Sequence, residues 1–138
     1  MTFVKHFPPA TSRAEIRREA EFQSQAAEIG LSPPVLRYTP TTIVMEHMNA
    51  LCIADQYGDS IDAIPDWIRE EIVAILYTVY VTLGIEYIDI TPYNFIEKDG
   101  KVWVIDFGHA AKVTEEVHPF LEEVFDTWTL SKWNPDFA

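Results

Sequence analysis

Three observations predict an α+β fold for this chain of 138 residues, with a small sheet and one helix first and a helical part carrying a hairpin after it. Short runs of β-branched and aromatic residues at Thr2–Lys5, Val35–Tyr38 and Thr42–Met45, punctuated by prolines, read as strands. Two longer stretches repeat apolar residues at helical spacing and are closed by Gly30 and Gly84. Phe95-Ile96 and Lys101–Ile105 flank Asp99-Gly100, a pair suited to the left-handed turn of a tight hairpin.

Each element has its own local reason. Thr2–Lys5 is a short strand ended by Pro8-Pro9, and Ser12 with Glu15 three residues on is a capping-box start. The helix then runs to about Ile29, with Ile16, Ala20, Gln23 and Ala27 on one face. Ser32-Pro33-Pro34 forbids its continuation, and Thr39-Pro40-Thr41 turns the next two strands. Residues 47–60 show little periodicity and read as a linker. Pro65 suits a first helical position, after which Ile68, Ile72, Ile75, Leu76, Val79 and Leu83 recur at helical spacing. A last helix is expected from Pro119, burying Phe120, Leu121, Val124, Phe125 and Trp128, and the aromatic tail Trp133–Phe137 is expected to pack back.

Composition bounds the function. The apolar fraction of 48% and aromatic fraction of 13% suit one domain with a core. No apolar run reaches the length of a membrane span and no signal peptide opens the chain, so no membrane association is expected. The single cysteine, Cys52, excludes an internal disulfide and argues for a reducing compartment, hence a cytoplasmic location. A net charge of −12 repels nucleic-acid phosphates, which argues against direct nucleic-acid binding. It also repels a nucleotide's phosphates, so a nucleotide site here needs a lysine and metal ions to compensate.

The chemistry is concentrated in Tyr87-Ile88-Asp89-Ile90-Thr91-Pro92-Tyr93-Asn94 and, after the hairpin, Val104-Ile105-Asp106-Phe107-Gly108. Two carboxylates and an amide are thereby offered from two neighbouring loops, and hard oxygen donors are what Mg²⁺ and its phosphates take. Taken singly, Asp89 opens a turn, Asn94 caps a strand and Asp106 ends one. The spacing of the set carries the functional reading.

That spacing resembles the catalytic-loop and metal-loop pair of protein-kinase-like folds. Asp-Ile-Thr-Pro-Tyr-Asn-Phe and Val-Ile-Asp-Phe-Gly resemble the RIO kinases and the small kinase of the KEOPS tRNA-modification assembly, over roughly Phe3 to Ala110. The Gly-Leu-Ser-Pro-Pro and Thr-Ile-Val-Met-Glu segments look similar to the second group as well. The resemblance implies a single minimal domain over 1–138, with a reduced N-lobe of about three strands and one helix (1–46), the linker (47–60) and a truncated C-lobe (61–138).

The resemblance also implies roles. Asp89 accepts or orients the proton of the acceptor hydroxyl, and Asn94 and Asp106 hold Mg²⁺. Lys5 holds the nucleotide's phosphates, paired with a glutamate of the following helix; Glu19 is preferred because Glu15 caps, but both stay open. Met45 lies behind the adenine of ATP, whose edge bonds the Glu46 carbonyl and the Met48 amide; as plain core residues the two methionines are explained equally well. Gly108 is expected to supply the conformational freedom that turns Asp106 to the site.

Departures from the pattern matter. No glycine-rich loop precedes Lys5, Tyr87 stands where most kinases have histidine, and Thr91 where Ser/Thr kinases place lysine. Beyond Gly108 there is room for one helix and a tail rather than a full substrate platform. Without the loop, nucleotide is held more openly and Thr2–Lys5 becomes an open sheet edge, expected to pair with a second copy or a protein partner. Two functions follow. One is an ATP- and Mg²⁺-dependent phosphotransferase of the atypical serine/threonine kinase type, acting on a protein or small-molecule hydroxyl, or by ATP hydrolysis or autophosphorylation. The other is a pseudokinase module that binds and regulates a kinase or complex. His6, His47, His109 and His118 share no metal-ligand spacing, so no zinc site is expected, and Arg13, Arg17 and Arg18 read as a solvated face.

Overall fold

The run that begins at Thr2 forms strand β1 (Thr2–His6) and pairs along its whole length with a later strand, from Thr2 opposite Glu46 to His6 opposite Thr42. The computed structural model describes residues 1–137. Helix α1 (Arg13–Glu28) follows; the Ser12 hydroxyl accepts from the Glu15 N–H at 3.1 Å, and Gly30 with φ +77° ends it. Strands β2 (Val35–Tyr38) and β3 (Thr42–Glu46) complete an antiparallel sheet ordered β1-β3-β2. The centre is β3, which buries Ile43, Val44 and Met45, and β1 is left as an edge.

Helix α1 is shared between two cores. Ile16 and Ala20 pack with Ile43 and Met45 into a small cluster under the sheet. Phe22 and Ala26, further along the same helix, belong to the large core of the second part. Glu19 and Gln23 sit in the same stretch of the helix and are buried with them.

Residues 47–60 are more ordered than a linker. Helix α2 (Ile53–Tyr57) forms there, with Ile53 fully buried, the Ala54 N–H on the Pro92 carbonyl at 2.9 Å and Cys52 bridged to Ile96. One and a half turns are too short for periodicity to register, and the anchors come from distant residues. Helix α3 (Asp66–Leu83) begins one residue after the expected start, with Pro65 as its cap, and buries Ile68, Ile72, Val73, Ile75, Leu76 and Val79.

Beyond Gly84, β4 (Ile85–Glu86) leads into the loop carrying Asp89, and β5 (Phe95–Lys98) and β6 (Lys101–Val104) form the hairpin. Asp99 and Gly100 have φ of +55° and +75°, the left-handed pair that the turn requires. A two-residue strand β7 (Ala111–Lys112) returns to pair with β4 and so brackets both loops. Helix α4 (Pro119–Thr127) buries Phe120, Leu121 and Val124, but Trp128 is not buried with them. It is the left-handed cap of that helix (φ +51°), which turns it outward, 49% exposed and edge-on to Tyr77.

The tail does pack back: Trp133 and Asn134 are buried, and the Trp133 indole donates to the Asp59 carbonyl at 2.9 Å. No helix of the described residues is long and apolar enough to cross a membrane. The architecture is α+β, a small sheet lobe and a helical lobe carrying a hairpin.

Candidate active site between the two lobes

Strand β1 delivers Lys5 inward from the sheet edge. Its ammonium donates to Glu19 Oε2 at 2.6 Å and to Asp106 Oδ1 at 3.1 Å, and it lies 4.9 Å from the centroid of the Phe7 ring. Of the two glutamates, Glu15 stands at the cap and Glu19 on the lysine. Burial works against the Lys5 charge, yet its hydrogen bond to Glu19 and the nearby charges of Asp106 and Glu19 outweigh it and raise its pKa above the ordinary lysine value. Glu19 is also raised: burial pushes it up and Asp106 adds repulsion, which the lysine only partly offsets. One cation thus serves two carboxylates, and the cluster is left short of positive charge.

Asp106 reaches this cluster through an unusual backbone. Its φ of +64° is left-handed, a conformation costing a non-glycine residue roughly 1–2 kcal/mol and often found where function holds it. The Gly108 N–H donates back to Asp106 Oδ1 at 3.2 Å and closes the turn. The reason for the glycine differs from the one expected, since Gly108 is not among the positive-φ residues. What it supplies is space: a Cβ there would stand 2.9 Å from Glu19 Oε1 and 3.2 Å from Asp106 Oδ1.

The Asp89 loop lies alongside. Asn94 donates from Nδ2 to the Asp89 carbonyl at 2.9 Å, and the Asn94 carbonyl accepts the Ile105 N–H at 2.9 Å, which ties the loop to the residue before Asp106. Tyr87, in the position where kinases usually have histidine, is fully buried and donates to the Ile105 carbonyl at 2.6 Å. Burial first, then the acidic groups around it, hold its pKa well above the ordinary tyrosine value, so it stays a neutral donor joining the two loops. Asp89 Oδ2 meets His109 Nδ1 at 3.2 Å.

A cavity of about 530 Å³ opens between the lobes, within the usual range for a small-molecule site. Lys5, Glu19 and Asp106 line it, together with Met45, Glu46 and Met48 and the apolar Leu51, Ile96 and Ile105. The Met48 carbonyl is taken by Lys98 at 2.5 Å, and its N–H has no partner among the described residues. Asp89 and Asn94 are not part of the lining and sit on the adjoining loop.

Sequence reasoning missed three residues at this site. In the sequence Gln23 reads only as one side of a helix face. It is buried beside the cavity with Nε2 on the Pro33 carbonyl at 2.9 Å, 3.4 Å from Met45 Sδ, and its Oε1 is unpaired among the described residues. His109 shares no metal-ligand spacing with the other histidines, and Asn134 falls in an aromatic tail. The polar character of Gln23 on a buried helix face was the one available signal.

Among the described residues no group of three or more His, Cys, Asp or Glu stands ready to hold a metal. One carboxylate and one amide, Asp106 and Asn94, suit a Mg²⁺ that arrives on phosphates and keeps waters better than one enclosed by protein.

A lysine–glutamate pair under a small sheet, with the lysine bonded to the aspartate of an Asp-Phe-Gly turn beside a cleft, defines a kinase-like protein. The sequence profile described as RIO domain matches residues 2–127, and the chain belongs to this atypical kinase-like family. A relative from Methanospirillum hungatei, named as a probable bifunctional tRNA threonylcarbamoyladenosine biosynthesis protein, is 30% identical over 105 residues. The match covers 74% of this chain and 18% of that relative, so the chain spans about a fifth of its length.

Proposed function

We propose that the chain binds ATP with Mg²⁺ in the interlobe cavity and transfers the γ-phosphoryl group to a hydroxyl of a protein or small molecule, to its own chain or to water. The observation that carries this reading is the Lys5 bridge, which joins the sheet lobe to the Asp-Phe-Gly turn in the wall of a largely apolar cavity. Lys5 steers the phosphates, with Glu19 fixing the ammonium. The Glu46 carbonyl and Met48 N–H face the base edge, and Met45 packs against the base. Mg²⁺, when bound, would neutralise phosphate charge and be held by Asp106 and Asn94. Asp89 takes the proton of the attacking hydroxyl. The open edge of β1 is proposed to receive a second copy or a protein partner, and a cytoplasmic setting fits the lone thiol.

The test is phosphoryl transfer or hydrolysis from labelled Mg·ATP. Turnover is expected from the wild-type chain and a loss of about 100- to 1,000-fold in Asp106→Ala, the usual cost of removing one group that stabilises transition-state charge. Equal rates in the two would refute the reading. A second reading, a nucleotide-free regulatory module, is favoured by one observation: Asp89 lies outside the cavity lining and is engaged by His109. Thermal unfolding separates the two, because a ligand at a hundredfold excess over its Kd stabilises the folded state by about 2.7 kcal/mol. No shift with millimolar Mg·ATP would favour the module.

A further inference from the structure

His109 follows the Asp-Phe-Gly turn, and its Nδ1 makes the one hydrogen bond to the Asp89 carboxylate among the described residues, at 3.2 Å. The Asp89 side chain is 12% exposed and the imidazole 61%. An ionised carboxylate only accepts, so Nδ1 must carry the hydrogen, in the neutral ring as well as in the cation. The contact therefore does not depend on the charge of the histidine.

The imidazole is backed in turn by Phe137, ring centroids 5.0 Å apart at 55°. Phe137 is placed by its N–H on the Asn134 carbonyl at 3.0 Å. Asn134 is buried and holds the loop of Asp89 from both sides, its N–H on the Ile90 carbonyl at 3.0 Å and its Nδ2 on the Ile88 carbonyl at 2.8 Å. The contacts close a circuit. The loop anchors the tail, the tail backs the histidine, and the histidine holds the carboxylate that the loop presents.

We infer that His109 is a positioning residue for Asp89, engaging Oδ2 so that Oδ1 is left for the acceptor hydroxyl, with Phe137 as its backstop. The inference rests on the phosphotransfer reading. In that reaction the hydroxyl oxygen bonds to the γ-phosphorus as the bond from that phosphorus to the β–γ bridging oxygen breaks. The diphosphate leaves with the electron pair, and the hydroxyl proton passes to Asp89 Oδ1. His109 gains and loses no proton. It removes the rotational freedom of a carboxylate that has no other hydrogen-bonding partner among the described residues, and groups that orient a working side chain in this way typically contribute about 10- to 100-fold.

The experiment uses the full chain and three variants. His109→Phe keeps a ring against Phe137 and removes the donor; kcat is expected to fall about 10- to 100-fold with the KM for Mg·ATP unchanged. His109→Asn puts an amide N–H near the place of Nδ1 and is expected to recover most of kcat. Long-range ¹H–¹⁵N spectra of the imidazole are expected to show the Nδ1–H form in the wild-type chain and its loss in Asp89→Ala. A wild-type kcat in His109→Phe, no recovery in His109→Asn, or an Nε2–H ring in the wild-type chain would each overturn the proposal. A wild-type chain that turns over no nucleotide sinks the phosphotransfer reading and the positioning role together, and the ring spectra then say whether the contact itself exists.

Discussion

The sheet lobe and the helical lobe are stabilised by different means. The helical lobe buries a continuous core from Ile53 through α3 to Trp133, joined by Phe22 and Ala26 of α1. The sheet lobe has only Ile16, Ala20, Ile43 and Met45 fully in its own cluster, with Phe7 and Val35 at its margin, and one edge strand whose Phe3 and Val4 are exposed. Apolar burial is the main support of the first lobe. The second relies on a helix shared with its neighbour and on the Lys5–Glu19–Asp106 bridge. The groups proposed to hold phosphate are therefore also those that join the lobes, and the less stable lobe is the one that must adapt to a ligand.

Breaking the large core should have the greatest effect. Ile72→Ala, at a fully buried position, is expected to cost about 3–5 kcal/mol and to lower global stability in urea unfolding. Ile43→Ala, as fully buried but in the small cluster, should cost about 2–3 kcal/mol. Its effect should appear first as faster hydrogen exchange in β1 and β3 while α3 stays protected. Equal loss of protection in both lobes would mean that they unfold as one unit.

Removing the bridge sharpens the same contrast. Lys5→Met leaves the buried Glu19 without its cation, at an expected cost of about 1–3 kcal/mol. The loss should be confined to exchange in β1 and the first half of α1, and nucleotide affinity should fall with it. Gly108→Ala is a milder probe of that place, since the added Cβ presses on the Glu19 carboxylate; an expected loss of about 1–2 kcal/mol should come with weaker Mg·ATP binding. The smallest effect belongs to the helical lobe: Tyr87→Phe loses the bond to the Ile105 carbonyl and should cost about 1 kcal/mol in thermal unfolding.

Which parts of this were legible in the sequence follows the same physics. Local signals gave the Ser12 cap, the Asp99-Gly100 turn, the glycine stops and the face of α3, because each depends on residues close in the chain. The Asp-x-x-x-x-Asn and Asp-Phe-Gly spacing carried the kinase-like fold for a similar reason, since two short loops hold it. Helix α2 was missed because Ile53 is fixed by a core assembled elsewhere, and Trp128 was misplaced by a cap geometry that periodicity does not encode. The space around Gly108 depends on Glu19, far away in sequence, so the glycine suggested freedom where the fold needs room. His109 and Asn134 were invisible because their partners, Asp89, Ile88 and Ile90, meet them only in three dimensions.

On the reading proposed above, one nucleotide bridges the two lobes in the cavity lined by Lys5 and Asp106. Amide and side-chain NMR shifts followed while a nonhydrolysable Mg·ATP analogue is titrated into the chain test it most directly. Shifts centred on Lys5, Glu19, Met45–Met48, Asn94 and Asp106, and slower exchange in β1, are the expected result. No shifts at millimolar analogue, or shifts confined to a surface away from these residues, would contradict it.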